Sequence, residues 1–256
     1  MLHNDQQTLC LIHGWGFDSR VWKGLVTQLP AHWQIITLDL PGYGANVKLD
    51  PPAGINLVAE MLIPFIPCNA VLIGWSLGGM VAIKIASLLG GDIDTLILLA
   101  STPCFVKKSG WPHGMEPELI KKMYDQLSGD SHKVLQEFSV LAAKGDDIPR
   151  QTIRDLRTSS AYGNTSTRTL VSGLDILRDA DLRSDMSELK CRVVMLLGER
   201  DHLIAKDTGP ATQILCPHTQ LAYITTAGHA PFISKGKPTA DMIIKYIQTH
   251  DHEQVR

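Results

Sequence analysis

Three residue types in one chain order carry most of the chemical information in this sequence: a serine, then an acid, then a histidine. The serine is Ser76, in Gly74-Trp75-Ser76-Leu77-Gly78. The pentapeptide directly follows an apolar run, Ala70-Val71-Leu72-Ile73, and directly precedes a helical pattern beginning at Gly79-Met80-Val81. That context predicts a strand, a sharp turn and a helix, with the hydroxyl exposed at the strand end over the positive end of the helix. The turn strains the serine backbone, and the glycines two positions either side let strand and helix approach closely. On its own the pentapeptide equally describes an ordinary glycine-rich turn, so the rest of the chain must decide. A serine hydroxyl is a poor nucleophile near neutral pH and needs a base. The base in turn needs a third group that fixes its tautomer and stabilises the imidazolium.

Around a serine on such a turn the chain order is serine, acid, histidine. His229 lies in Thr226-Ala227-Gly228-His229-Ala230-Pro231-Phe232, just after the last apolar run, and is the candidate base. His218, beside Pro217, precedes that run and falls at its wrong end. Asp201 follows the run Arg192–Leu197 and is the preferred acid, with Glu199, two residues nearer the run, as its rival. Asp39, in Asp39-Leu40-Pro41-Gly42-Tyr43-Gly44, precedes the serine and reads as a loop-organising carboxylate. The developing oxyanion needs backbone N–H donors, each worth about 3 kcal/mol of barrier. One should come from Leu77. The other should come from Trp15, in His13-Gly14-Trp15-Gly16, where His13 reads as an organiser of the loop and not as a base.

These residues need a scaffold that delivers them to one edge. Short apolar runs at Thr8–Ile12, Gln34–Leu38, Ala70–Ile73, Thr95–Ala100, Arg192–Leu197 and Leu221–Ile224 lack clean alternation, as strands buried on both faces of a parallel sheet do. Helical patterns lie between most of them, among them Met80, Val81, Ile83, Ala86 and Leu88, and Met242, Ile243, Tyr246 and Ile247 near the end. The alternation predicts an α/β fold with a mostly parallel central sheet flanked by helices. It stops between about Cys104 and Asp179. There Leu119, Ile120, Met123 and Leu127, then Val134, Leu135, Phe138, Leu141 and Ala142, recur at helical spacing, with Ser131 as N-cap and Gly145 as stop. Pro149 suits a further helix start, and Leu170, Leu174 and Leu177 follow Asn164 or Ser166 as cap. Because strands resume only at Arg192, this stretch reads as a helical lid over the strand ends. The expected division is a core of residues 1–104 and 179–256 with a lid of 105–178.

The 256 residues and 44% hydrophobic content fit one soluble domain with an insertion. A net charge of −2 argues for neither nucleic acid nor membrane. No charged residue lies between Glu60 and Lys84, a span long enough for a bilayer, but Pro64, Pro67, Asn69 and the glycines interrupt it. A helix end, a loop, a core strand and a second helix explain it better. The N-terminal residues show no signal peptide. The five scattered cysteines read as reduced thiols in a cytoplasmic protein. No cysteine–histidine spacing resembles a metal site, and neither metal nor cofactor is expected; His250-Asp251-His252 sits in a polar tail.

Together, His13-Gly14-Trp15-Gly16, the Asp39–Gly44 segment, Gly74–Gly79 and Gly228-His229-Ala230-Pro231-Phe232 resemble the α/β-hydrolase superfamily from about residue 8 to 248. More narrowly, Gly74–Gly79, Ser101-Thr102-Pro103-Cys104-Phe105, Gly173–Leu177 and His229–Ser234 resemble the family of pimeloyl-acyl-carrier-protein methyl ester esterases of biotin synthesis. The resemblance implies a monomeric serine carboxylesterase that hydrolyses the methyl ester of a pimeloyl chain on acyl carrier protein and also accepts small esters. It implies that Trp15, Ser76 and Leu77 line the reactive end of the acyl chain, and that Phe138, Ser139, Val140, Leu141 and Ala142 line the chain itself. It implies that Lys133, Arg150 and Arg154 grip the acidic carrier; at a fourth such position this sequence has Glu137. The superfamily's usual antiparallel edge strands have little room before Thr8. Short-chain ester hydrolases, carbon–carbon bond hydrolases and menaquinone-pathway lyases share the same three residues and remain the alternative.

Overall fold

All six apolar runs form strands, and the burial of the four inner ones explains why those show no alternation. The computed structural model of the chain describes residues 7–159 and 165–253. The strands are β1 (Thr8–Ile12), β2 (Gln34–Leu38), β3 (Ala70–Trp75), β4 (Ile93–Leu99), β5 (Arg192–Gly198) and β6 (Gln220–Ile224). Every residue of β3 is buried, as is all of β5 beyond Arg192, so both sheet faces are covered. Among the described residues the six strands form one sheet in the order β2-β1-β3-β4-β5-β6, parallel at every pairing. The edges are β2 and β6.

The helices are α1 (Lys23–Val26), α2 (Ile55–Leu62), α3 (Leu77–Leu89), α4 (Pro117–Leu127), α5 (Ser131–Ala142), α6 (Pro149–Thr158), α7 (Thr167–Asp179), α8 (Arg183–Glu188), α9 (Thr208–Leu215), α10 (Pro231–Ser234) and α11 (Gly236–Glu253). Apart from α4–α7, α2 packs on α3, α3 on α8 and α8 on α9, while α1, α10 and α11 pack together. The uncharged span from Glu60 to Lys84 is the end of α2, a loop, β3 and most of α3. Among the described residues no helix is long and apolar enough to cross a membrane.

Between β4 and β5 the described residues add no strand and build α4–α8. Helices α4, α5 and α6 pack in sequence, α4 also packs on α7, and α7 and α6 reach back to α3 and α10. Two caps follow composition closely. Pro149 opens α6, and the Ser166 hydroxyl caps α7 by accepting the Thr169 N–H at 3.1 Å. Asn164, the other candidate cap, lies outside the described residues. At α5 the cap differs from expectation: it is Asp130, whose carboxylate accepts the Lys133 N–H at 3.1 Å, and Ser131 is the first helical residue. A carboxylate at that position also meets the positive end of the helix, which a hydroxyl does not exploit.

Register decides where the loops end up. Ile12 of β1 pairs with Gly74 of β3, Trp75 with Leu99 of β4, Leu99 with Leu196 of β5, and Gly198 with Ile224 of β6. The loops beginning at His13, Ser76, Ala100, Glu199 and Thr225 therefore emerge along one edge. The strand order reverses between β1 and β3, and ligands of open α/β sheets bind in the crevice outside the strand ends at such a reversal.

Candidate active site

Ser76 occupies the turn between β3 and α3 with φ +54° and ψ −119°, a conformation few non-glycine residues adopt. The turn is held from several sides. The Ser76 N–H donates to the Leu99 carbonyl at 3.1 Å, and the Ser101 hydroxyl donates to the Ser76 carbonyl at 2.7 Å. A Cβ on Gly74 would land on the Gly78 carbonyl and the Gly79 Cα, and one on Gly78 would land on the carbonyls of Ile12 and His13. These two glycines thus allow α3 to start hard against the ends of β3 and β1.

His229 is fully buried, and its Nε2 lies 2.9 Å from the Ser76 Oγ. Its Nδ1 lies 2.9 Å from Asp201 Oδ2. A carboxylate only accepts, so Nδ1 carries the proton and Nε2 is left to accept from the serine hydroxyl. The other Asp201 oxygen, Oδ1, accepts the N–H groups of Leu203 and Ile204 at 2.7 and 3.0 Å. Those two amides fix the carboxylate in its rotamer. The rival Glu199 turns elsewhere and accepts the Thr226 N–H at 3.2 Å, which steadies the histidine loop. Trp75, a residue the pentapeptide pattern leaves free, donates its indole N–H to the His229 carbonyl at 2.8 Å.

The loop after β1 meets the start of α3. Among the described residues neither the Trp15 nor the Leu77 N–H is hydrogen-bonded within the protein. The Trp15 side chain is fully buried, donates to the Leu170 carbonyl at 2.8 Å and abuts Phe138 edge-on, ring centroids 5.0 Å apart. A Cβ on Gly173 would collide with the Trp15 indole, which gives the Gly173 segment of α7 its physical meaning. His13 donates from Nδ1 to the Gly14 carbonyl at 2.8 Å and accepts the Leu40 N–H at Nε2 at 3.0 Å. Burial pushes its pKa down, so it stays neutral and ties β1 to the loop after β2. Asp39 accepts the Ser19 and Ala45 N–H groups at 2.6 and 2.8 Å and sits apart from the serine, organising that loop.

Helix α5 does not turn the five residues Phe138–Ala142 one way, because consecutive side chains on a helix diverge by about 100°. Phe138 faces Trp15 and Phe17. Ser139 is buried with its hydroxyl on the Leu135 carbonyl at 3.0 Å. Val140 is 47% exposed and, with Leu141, lines an outer groove of about 550 Å³ between α4, α5 and α6. Ala142 is buried and offers its carbonyl to the His229 N–H at 3.0 Å. Phe138 also lines the groove, so its ring stands between that space and Trp15. Lys133, Arg150 and Arg154 are exposed on α5 and α6, with Arg154 donating to Gln151; Glu137 is exposed and accepts from Gln126 at 3.0 Å. Among the described residues no cluster of His, Cys, Asp or Glu is arranged to hold a metal, and the His250–His252 side chains lie outside the description. Sequence reasoning gave no role to Trp75, Ser101 or Asp146: the pentapeptide leaves the identity of its second residue open, and neither Ser101 nor Asp146 has a spacing that points to the serine.

Residues 11–242 match the model of the alpha/beta hydrolase family. The chain belongs to that family. A pimeloyl-[acyl-carrier protein] methyl ester esterase from Pseudoalteromonas atlantica is 35% identical over 241 residues, covering 93% of this chain and 92% of the relative. Its counterpart from Pectobacterium atrosepticum is 34% identical, covering 94% of each. Among solved structures, an esterase from Exiguobacterium antarcticum superposes with a TM-score of 0.82 at 22% identity, covering 96% of this chain and 93% of that one. At that identity the last likeness speaks for the fold alone.

Proposed function

We propose that the chain is a serine carboxylesterase that hydrolyses the methyl ester of a pimeloyl group carried on acyl carrier protein. The observation that carries the reading is the unbroken relay from Ser76 Oγ through His229 to Asp201, beside two N–H groups with no internal acceptor. The Ser76 oxygen attacks the ester carbonyl carbon while its proton passes to His229 Nε2. Asp201 stabilises the imidazolium. The oxyanion accepts from the Leu77 and Trp15 amides, each worth about 3 kcal/mol of barrier. Collapse breaks the carbon–methoxy bond, and methoxide leaves as methanol with the proton from His229. Water then attacks the acyl carbon, giving a proton to Nε2. The second collapse returns that proton to Ser76 Oγ and frees the carboxylic acid.

In this reading residues 105–178 are the lid over a core of 1–104 and 179–256. The groove bounded by Leu119, Met123, Leu141 and Ile153 takes the acyl chain, with Phe138 at its inner end. A volume of about 550 Å³ and a mainly apolar lining suit a medium acyl chain. Lys133, Arg150 and Arg154 face the acidic carrier and chiefly speed encounter, while Glu137 weakens that attraction. Every proposed catalytic group lies in one chain, which supports action as a monomer, and unpaired cysteines support a cytoplasmic setting.

The test compares two substrates. Hydrolysis of the methyl ester on pimeloyl-carrier should fall severalfold with added salt and with Arg154→Glu, while hydrolysis of p-nitrophenyl butyrate should not. Both should vanish in Ser76→Ala. Carrier hydrolysis insensitive to salt and to Arg154→Glu removes the basic surface from the account, and full turnover by Ser76→Ala removes the mechanism.

A further inference from the structure

The turn between α5 and α6 does more than connect two helices of the insertion. The loop that presents His229 has its earlier amides satisfied locally, Thr226 N–H by Glu199 and Ala227 N–H by the Ile224 carbonyl. The next two amides have no acceptor in the core. Gly228 N–H donates to Asp146 Oδ1 at 2.5 Å, and His229 N–H donates to the Ala142 carbonyl at 3.0 Å. Both acceptors belong to the insertion, more than eighty residues away in the chain. The approach is close enough that a Cβ on Gly228 would press on the Lys144 carbonyl at 2.7 Å, the Ala142 carbonyl at 3.2 Å and Asp146 Oδ1 at 3.3 Å. From the other side the turn rests on the acid loop, where Gly145, with φ +95°, leaves no room for a side chain against the Arg200 carbonyl.

Asp146 is an expensive choice for a spacer. It is 8% exposed, and its Oδ2 is buried with no hydrogen-bond partner. The hydroxyls of Thr152 and Ser234 lie close by, each also making a long bond, of 3.3 and 3.4 Å, to the carbonyls of Ile148 and Ala230. Burial raises its pKa, partly offset by the Gly228 amide and the Ser234 and Thr152 hydroxyls. Burying a carboxyl group costs stability, and an apolar residue would fill the space at no such cost.

We infer that Asp146 is a positioning residue for His229: by holding the amide that precedes the imidazole, it makes the helical insertion part of the catalytic framework. This rests on the esterase reading above. Misplacing a catalytic group by about an ångström costs roughly 100-fold in rate. The whole chain is assayed with p-nitrophenyl butyrate, which needs no carrier, and fold is followed by circular dichroism. Asp146→Ala should lower kcat by about 10- to 100-fold at unchanged KM. It should also speed hydrogen exchange at the Gly228 amide. Asp146→Asn, which keeps an acceptor oxygen, should restore kcat to within about threefold and restore the protection. If Asp146→Ala fails to fold, Gly228→Ala perturbs the same contact with Asp146 intact and should show the same loss in kcat at unchanged KM. A kcat within about threefold of the parent in the folded alanine variant overturns the inference. So does an Asp146→Asn loss equal to that of Asp146→Ala. A parent chain without esterase activity counts against the esterase reading instead, and Gly228 exchange still reports on the contact.

Discussion

Asp201→Asn tests how far the tautomer of His229 depends on its carboxylate partner. Asp201 uses one oxygen on His229 Nδ1–H and the other on the amides of Leu203 and Ile204. Asparagine has only one oxygen to place. If that oxygen stays on the two amides, the NH2 group faces Nδ1 and donates to it. The ring proton then moves to Nε2, which no longer accepts from Ser76. The reverse orientation keeps the productive tautomer but aims NH2 at two N–H groups. Leaving a buried donor unsatisfied costs about 1–3 kcal/mol, so two of them favour the unproductive orientation by about 2–6 kcal/mol. At the lower bound about 3% of molecules keep the productive tautomer, since 1.4 kcal/mol is a factor of ten. Those molecules also lack the negative charge that stabilises the imidazolium. We expect kcat for p-nitrophenyl butyrate to fall by about 10³- to 10⁴-fold with KM little changed. Ser76→Ala supplies the baseline, and circular dichroism checks the fold. A folded Asp201→Asn enzyme retaining more than about one-thirtieth of parental kcat would refute the tautomer argument.

Three other outcomes follow from the same geometry. Ser76 holds a positive φ of a kind that costs about 1–3 kcal/mol, so Ser76→Gly should exceed Ser76→Ala in stability by about 1 kcal/mol in urea titration, with both inactive; equal stabilities would count against the strain. Gly173→Ala puts a methyl group into the Trp15 indole and should break its bond to the Leu170 carbonyl, lowering kcat/KM about tenfold or more; unchanged kinetics would show that the loop tolerates the shift. Iodoacetamide on the native protein should modify Cys68 alone, because it is exposed while burial pushes Cys10, Cys104 and Cys191 up to about 11. Intact-mass analysis showing several rapid additions would contradict the buried environments.

The sequence by itself determined the strands: the four inner ones are buried on both faces and so apolar, and the two edge runs, only partly buried, still stand out as short apolar runs between helical patterns. It also singled out Ser76, His229 and Asp201, since a nucleophile turn carries its own glycine signature and the other two follow strand ends. It misread the cap of α5, where aspartate and serine are adjacent and either fits the composition. The family resemblance implied one lining from Phe138 to Ala142, and the structure sends these neighbouring side chains in different directions. Only the tertiary structure decided which Asp201 oxygen meets the imidazole and which meets the amides, and that Glu199 serves the loop instead. Only it brought Ser101 and Asp146 to the site and gave Trp75 its partner, because each acts through one hydrogen bond to backbone distant in the chain. Such a bond needs a donor and an acceptor but no particular neighbours, so it leaves no pattern in the order of residues.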